Sequence, residues 1–427
     1  MNNSNVLFMK KHADDIQKII AYYYNQGKRI FFWGAGKIGT SFFQLFDPTC
    51  RYFAGAIDKN PAKQGKVMAT GHRVFSPEEA EADVIFVNGF TIEASVYAFY
   101  AARGERKKVI ELQDIFHGKR IEDVFADVDT PYRKVRRCLI GGVTVLYEPP
   151  EDFIENIRTY ADDLDVLLLY DNSPKSHQEM IEAAFGGRVH YVWNGGRNRG
   201  LPCAFNDAVR CMDEYRVGVD WLITFDQDSR AGVGMMEGMR SFVDSQLCSD
   251  DIALVCPWVV EYITKGIHPQ EIGMPRISYL VSLITQSGAL HRLDVLRKLR
   301  YDEKLFIDEV DFDYGAQCRV HGKKIIRLNH CELLHQVEDE YPTIAVDWRK
   351  YQKNKYSLSR WYYRYRNALY CTQKYAGTIY QQYFQDGVNG LMKMAQLEDR
   401  CAEIQQVFHR ACEDFEAGRM GQQDVRG

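Results

Sequence analysis

No stretch of this 427-residue chain approaches the roughly 18 consecutive apolar residues of a membrane-spanning helix. Its longest apolar runs, such as Val166–Tyr170 and Ala253–Val260, are strand-sized. The opening residues lack the charged-then-apolar pattern of a secretory leader. The net charge is only −4, which excludes a global field for nucleic acid, so no nucleic-acid partner is expected. Eleven cysteines are scattered without a Cys-x-x-Cys pair. That argues against a disulfide framework or a structural zinc site and for a reducing, cytoplasmic setting. There is no internal repeat and no low-complexity segment. What is present is ordinary globular composition, 46% hydrophobic and 26% charged, with enough length for two or three domains. Tyrosine (26) and phenylalanine (23) are abundant, which suits carbohydrate or interfacial surfaces as well as large cores.

Strands and helices alternate in two series, so the fold class expected is α/β. The periodicity predicts a helix over 8–26, strands over 29–33, 52–58, 84–88 and 108–112, and a helix over 37–46. This first series is a Rossmann-like parallel-sheet domain, residues 1–120. Residues 121–137 read as a connector. A second series over 138–346 has strands at 139–146, 165–170, 189–193, 221–225, 252–260 and 323–328, and helices at 150–160 and 203–215. From 347 to 427 a basic, aromatic and helical region follows. Residues 347–374 hold eight Lys or Arg against one Asp. Leu397, Cys401, Ile404, Phe408, Ala411 and Phe415 step by four and three, a heptad-like seam. It either packs on its own domain or joins a homodimer through the C-terminal helix.

Gly34-x-Gly36-x-x-Gly39 lies between a strand and a helix, with Asp58 at the end of the next strand. Glycines there allow a tight turn and close approach of a pyrophosphate to the helix N-terminus, and the aspartate could hold ribose hydroxyls. The domain is then either accessory or a binder of a nucleotide or sugar nucleotide. Asp-x-Asp occurs four times, at 127/129, 163/165, 226/228 and 311/313. Only Asp226 and Asp228 directly follow an apolar strand. On an extended chain residues i and i+2 share a side, so these two make a hard-oxygen site for Mg²⁺ or Mn²⁺ with positions left for substrate phosphates. Asp171, Asn198 and Asn206 stand near other strand ends, where α/β sheets bind ligands, and suggest one crevice.

Two resemblances follow from these residues. Ala56-Ile-Asp-Lys-Asn-Pro-Ala-Lys-Gln-Gly65 with Ser76-Pro-Glu is similar to the Rossmann-type C-terminal module of sugar C-methyltransferases. Over 138–370, a set of motifs resembles family 2 glycosyltransferases of the GT-A fold, in their bacterial rhamnosyltransferase branch. It comprises Tyr170-Asp-Asn-Ser, Asn198-Arg-Gly-Leu with Asn206, Phe225-Asp-Gln-Asp-Ser229, Thr285-Gln-Ser-Gly-Ala289, Leu305-Phe-Ile-Asp308 with Val310-Asp311, and Arg360-Trp-Tyr-Tyr-Arg-Tyr-Arg-Asn367. The resemblance implies inverting, metal-dependent transfer of a sugar, with dTDP-L-rhamnose as the expected donor and a UDP-hexose or UDP-galactofuranose as the alternative. The implied acceptor is a growing surface polysaccharide or lipid-linked glycan, met at the inner membrane face with peripheral membrane contact. By motif position Asp311 is the catalytic base, with Val310 where the family usually has Glu. Asp171, Asn172, Asn198, Asp226, Arg364 and Arg366 face the donor. Asp226, Asp228 and His335 are the metal set, and Ser287, Gly288 and Asp308 lie on the acceptor side. An oxidoreductase run by the Gly34–Gly39 motif is the alternative of another class.

Overall fold

The computed structural model describes residues 3–116, 119–125, 134–215, 218–260, 268–269, 272–280, 286–335, 343–346, 349–352 and 356–424. Asp127, Asp129 and Thr285, used in the sequence reading, lie outside them. The chain divides into two compact units. The first is Met1–Pro131 with Thr264–Val281 and Ile326–His330, and the second is Tyr132–Ile263, Ser282–Ile325 and Cys331–Gly427.

The first unit opens with helices α1 (Asn3–Lys11) and α2 (Ala13–Asn25), a break at His12 dividing the single helix expected. There follow β1 (Ile30–Trp33), α3 (Lys37–Phe46), β2 (Phe53–Ile57), β3 (Val74–Phe75), β4 (Val84–Val87), α4 (Phe90–Ala101), β5 (Lys108–Glu111), α5 (Leu112–Phe116) and α6 (Ile121–Phe125). The five strands form a parallel sheet in the order β3-β2-β1-β4-β5. Fully buried parallel strands read as apolar runs, and β1 and β4 are buried throughout. Their Phe32 and Phe86 meet Phe42 and Phe43 of α3 and Ile16, Ile19 and Ile20 of α2 in one core. Gly39 is held to glycine by that packing, because a Cβ there would fall 2.1 Å from the Gly34 carbonyl oxygen.

In chain order there follow β6 (Ile140–Leu146), α7 (Phe153–Arg158), β7 (Val166–Asp171), α8 (Gln178–Phe185), β8 (His190–Trp193), α9 (Gly200–Glu214), β9 (Trp221–Asp226), β10 (Ser229–Ala231), α10 (Met235–Val243), β11 (Ile252–Val260) and β12 (Ile277–Leu280). Then come β13 (Leu290–Arg292), α11 (Leu293–Lys298), α12 (Val310–Val320), β14 (Lys324–His335), β15 (Thr343–Val346) and β16 (Arg349–Gln352). The chain closes with α13 (Leu358–Lys374), α14 (Ile379–Ala395) and α15 (Cys401–Glu416). The large mixed sheet runs β10-β14-β11-β13-β9-β6-β7-β8, with β12 paired to β14. Strands β9, β6, β7 and β8 are mutually parallel, and β13 is antiparallel to β9. Because β6 lies between β7 and β9, the order in which strands are added reverses beside it, and a crevice opens at the strands' carboxyl ends.

The C-terminal helices form a small aromatic core. Trp361 and Tyr365 of α13 meet Phe408 of α15, the Tyr365 and Phe408 rings stacking at 4.0 Å. Ile404, Phe408 and Ala411, three members of the heptad-like seam, are buried here against the chain's own helix α13.

Candidate active site

The crevice holds a cavity of about 480 Å³, within the range that accommodates a small ligand. Its floor is made by strand ends: Val145 and Tyr147 at β6, Asn172 at β7, Asn198 before α9 and Gly200 at its start, and Asp226, Gln227 and Asp228 at and just after the end of β9. Ser287, the loop Phe306–Glu309, Asp311 of α12, and Tyr356, Arg360 and Arg364 complete it.

Asp226 ends β9 and Asp228 lies in the turn between β9 and β10; both line the cavity, but the extended backbone expected for the pair stops at Asp226. The Ser287 hydroxyl fixes their strand end: it accepts from the Asp226 N–H at 3.0 Å and donates to Ser229 Oγ at 2.8 Å. Gln286 donates to Asp226 Oδ1 at 3.3 Å. Gly288 does not line the cavity. It turns the chain at φ 73°, its N–H donates to the Thr224 carbonyl, and a Cβ would meet Pro257 at 2.7 Å.

Asp311 and Asp313 share the same spacing yet face apart, since a helix rotates residues i and i+2 by about 200°. Asp311 opens into the cavity. Asp313 is buried behind it, bonded to the Tyr375 hydroxyl at 2.8 Å and to Lys374 Nζ at 2.9 Å. Burial pushes the Asp311 carboxyl up to about 7, and the neighbouring Asp226 and Asp308 carboxylates add to it. Glu309 is raised to about 8, also by burial first. Burial raises Asp308 as well, against the opposing pull of Arg360 and Arg364.

Asn172 and Asn198 brace the cavity floor. Asn172 Oδ1 accepts from Asn194 Nδ2 at 2.8 Å and from the Arg199 N–H at 3.2 Å, and Asn198 Oδ1 accepts from the Gly200 N–H at 2.9 Å. Gly200 has φ 79°, and a Cβ on it would strike the Phe306 carbonyl oxygen at 2.5 Å. The glycine therefore lets the Phe306–Glu309 loop close down on α9, where the Leu201 N–H donates to Phe306 at 2.9 Å. Asn206, on the same helix, bonds the backbone of Tyr301 through both ends of its amide.

Two expected donor-side residues lie outside the cavity lining. Asp171 is fully buried, its oxygens taken by the Ser173 N–H (2.8 Å), the Tyr191 hydroxyl (2.7 Å) and His177 Nδ1 (2.8 Å). Burial alone would raise its carboxyl, but these bonds hold it below the usual carboxylate range. Arg366 is fully buried and donates to the carbonyls of Gly421 and Lys304 and to Asn367 Oδ1. Arg360 and Arg364 are one helical turn apart and share the cavity face, whereas Arg366 lies two residues on and turns away. Helical spacing, applied strictly, separates the three.

His335 ends β14, and its backbone pairs with Ser229, the residue after Asp228. Its side chain lies outside the described part of the structure. Among the described residues no three His, Cys, Asp or Glu side chains form a metal-like cluster. Gln286 and Tyr356 also line the cavity without having been singled out for a site role, and Glu309 and Arg360, read in the sequence as a possible catalytic neighbour and a diphosphate-suited guanidinium, line it as well.

In the first unit, Gly34 and Gly36 lie in the turn between β1 and α3, and Gly39 in the first turn of α3. Asp58 Oδ2 accepts from the Ala35 N–H at 2.9 Å and pairs with Lys63 at 2.8 Å. Its carboxylate thus ties the glycine turn to the segment after β2.

With this geometry in place, the chain can be compared with known proteins. No protein-family model matches it. It is 25% identical over 199 residues to a dTDP-rhamnosyl transferase, RfbF, of Shigella flexneri, over 44% of this chain. The match spans 64% of that relative's length. Among solved structures, GalNAc-T7 with UDP, GalNAc and Mn²⁺ aligns with 66% of this chain and 58% of its own. The TM-score is 0.38 and the identity 13%. No helix among the described residues is long and apolar enough to cross a membrane.

Proposed function

We propose that this protein is an inverting glycosyltransferase of GT-A type that moves a sugar, L-rhamnose from dTDP-L-rhamnose, to a hydroxyl of a growing surface glycan. The observation that carries this reading is one cavity holding two acidic groups of different kinds. Asp226 and Asp228 lie at a strand end, where a nucleotide diphosphate would sit, and Asp311 has a carboxyl raised to about 7. The distant similarity to a rhamnosyl transferase supports it.

In the reaction, Asp311 takes the proton from the acceptor hydroxyl as that oxygen attacks the anomeric carbon. The carbon–phosphate-oxygen bond breaks on the opposite side and its electron pair leaves with the nucleoside diphosphate. A base with a pKa near neutrality suits this task at physiological pH. Two strand-end carboxylates open to the cavity fit a hard divalent cation, Mn²⁺ or Mg²⁺, which when bound would offset charge on the leaving diphosphate. Asp226 and Asp228 would hold it, with His335 as a third ligand. Arg364, and Arg360 beside it, present guanidinium groups suited to the diphosphate. The acceptor is a polysaccharide or lipid-linked glycan at the inner membrane face, which the aromatic and basic C-terminal region would approach peripherally. The first unit serves this enzyme as an accessory domain.

Thermal-shift binding to dTDP-rhamnose, UDP-hexoses, GDP-sugars and NAD(P)H, each with and without Mn²⁺ or Mg²⁺, tests the reading, because a ligand specific to the native state raises its apparent stability. The expected outcome is a metal-dependent shift with one sugar nucleotide that Asp228→Ala abolishes. A shift with NAD(P)H alone, independent of metal, would assign the chemistry to the Gly34–Gly39 motif instead.

A further inference from the structure

The loop from Leu305 to Glu309 has an unusual backbone. Phe306, Asp308 and Glu309 have φ values of 63°, 61° and 59°, a region L side chains rarely adopt. Such geometry persists only where surroundings over-determine it. Here they do. The Asn367 amide, fully buried on α13, donates to the carbonyls of Leu305 (2.8 Å), Ile307 (2.7 Å) and Asp308 (3.1 Å). Arg366 holds the Asn367 oxygen at 3.0 Å, so the amide is pinned with its donors toward the loop. From the other side Gly200 admits the Phe306 carbonyl.

What this loop presents is Asp308. Its side chain is only 8% exposed, and Oδ1 accepts from Arg360 Nε at 2.9 Å. Its second oxygen, Oδ2, is buried and has no hydrogen-bond partner among the described residues. A buried carboxylate oxygen left without a donor is unfavourable unless a ligand supplies one. Asp308 lines the same cavity as Asp311, three residues on, and the two carboxylates feel each other's charge. The residue proposed to remove the acceptor's proton and the residue whose carboxylate oxygen lacks a donor thus line the same cavity.

We propose that Asp308 Oδ2 accepts a hydrogen bond from a second acceptor hydroxyl, adjacent to the one that attacks, so that the acceptor is a sugar bearing a vicinal diol. This rests on the glycosyltransferase reading and adds the substrate class of its acceptor side. Asn367 is the positioning residue that holds the loop in the presenting conformation.

The test uses the full-length protein with the sugar nucleotide that gives the thermal shift. Acceptor probes are octyl glycosides of glucose, galactose, N-acetylglucosamine and rhamnose, with their monodeoxy forms. For wild type, removing the hydroxyl beside the glycosylated one should lower kcat/KM at least ten-fold. In Asp308→Asn the amide oxygen keeps Arg360 and an NH₂ replaces Oδ2, so the same removal should cost less than two-fold. The ratio of transfer to donor hydrolysis should also fall at least ten-fold in Asp308→Asn. Equal losses on the deoxy probes in both proteins would overturn the proposal. So would a rise confined to the KM for donor, or a wild type that hydrolyses donor yet glycosylates none of the diol-bearing glycosides. If Asp308→Asn does not fold, the wild-type deoxy series decides alone, and indifference to every deoxy position overturns the proposal. A protein that releases nucleotide from no sugar nucleotide fails the glycosyltransferase reading itself, a separate result.

Discussion

At the scale of the residue, Asp311 and Asp313 show how identical side chains acquire different work. Lys374 and Tyr375 engage Asp313 behind α12, whereas Asp311 faces the cavity among other carboxylates. As the proposed base, Asp311 acts only when ionised. Because its carboxyl titrates at about 7, kcat/KM should rise about ten-fold per pH unit below that value and level off above it. Asp311→Asn should lower kcat by about 10²- to 10⁴-fold and retain donor binding in the thermal-shift assay. Unchanged turnover in that variant, or a profile flat from pH 5 to 8, would remove Asp311 from the role. The position of Asp311 in its motif was legible in the sequence. Its raised titration was not, since that comes from burial beside Asp226 and Asp308, which are distant or on another element.

At the scale of the element, α13 serves two purposes at once. One face delivers Arg360 and Arg364 to the cavity, starting from a cap in which Ser357 Oγ accepts from the Arg360 N–H at 3.2 Å. Other faces carry Trp361, Tyr362 and Tyr365 into the helical core and Arg366 to the Lys304 and Gly421 carbonyls, while Asn367, two turns on from Arg360, reaches the loop. Its stability therefore depends on α15. Phe408→Ala removes the ring that Tyr365 and Trp361 pack against, and should cost about 3–5 kcal/mol by denaturant titration. The same change should weaken turnover by loosening the cavity wall. A variant destabilised by less than about 1 kcal/mol would show that α15 is not part of this core. The seam Ile404–Phe408–Ala411 was visible as a spacing. Spacing alone does not choose between a second copy and a neighbouring helix of the same chain, because both offer an apolar stripe.

At the scale of the whole molecule, two sets of buried carboxylates oppose each other in pH. Asp47 in the first unit accepts from the Arg51, Tyr52 and Phe53 N–H groups and from His72, bonds that outweigh burial and hold its carboxyl below the usual range. Asp58 and Asp171 are likewise depressed. Each contributes stability that is present above its unfolded value and lost as pH falls through its folded one. Glu93, Glu309 and Asp311 are raised to about 7, 8 and 7, mainly by burial. Between about pH 4 and those values the native state binds more protons than the unfolded chain, so stability falls as pH rises. The denaturation midpoint should peak near pH 4 and decline toward pH 8, as measured by urea titration from about pH 3 to 8. A midpoint still climbing at pH 8 would contradict the raised group. Replacing Asp311 with Asn should make the decline shallower.

The sequence by itself determined the α/β class, the parallel strands and the strand-end position of Asp226 and Asp228, because these depend on local periodicity and on what directly follows an apolar strand. It also placed a tight glycine turn after β1, since only glycine tolerates the contact between residues 34 and 39. The tertiary structure alone decided which residues meet. It turned Arg366 from the cavity to the Lys304 and Gly421 carbonyls, enclosed Asp171 in its own hydrogen bonds, and brought the Arg360 side chain 52 residues along the chain to Asp308. Those outcomes depend on where α13 crosses the 305–309 loop, and long-range packing leaves no periodic trace in the chain. The Asp308 oxygen that has no partner among the described residues belongs to the same class: that property comes from the folded cavity, not from any motif.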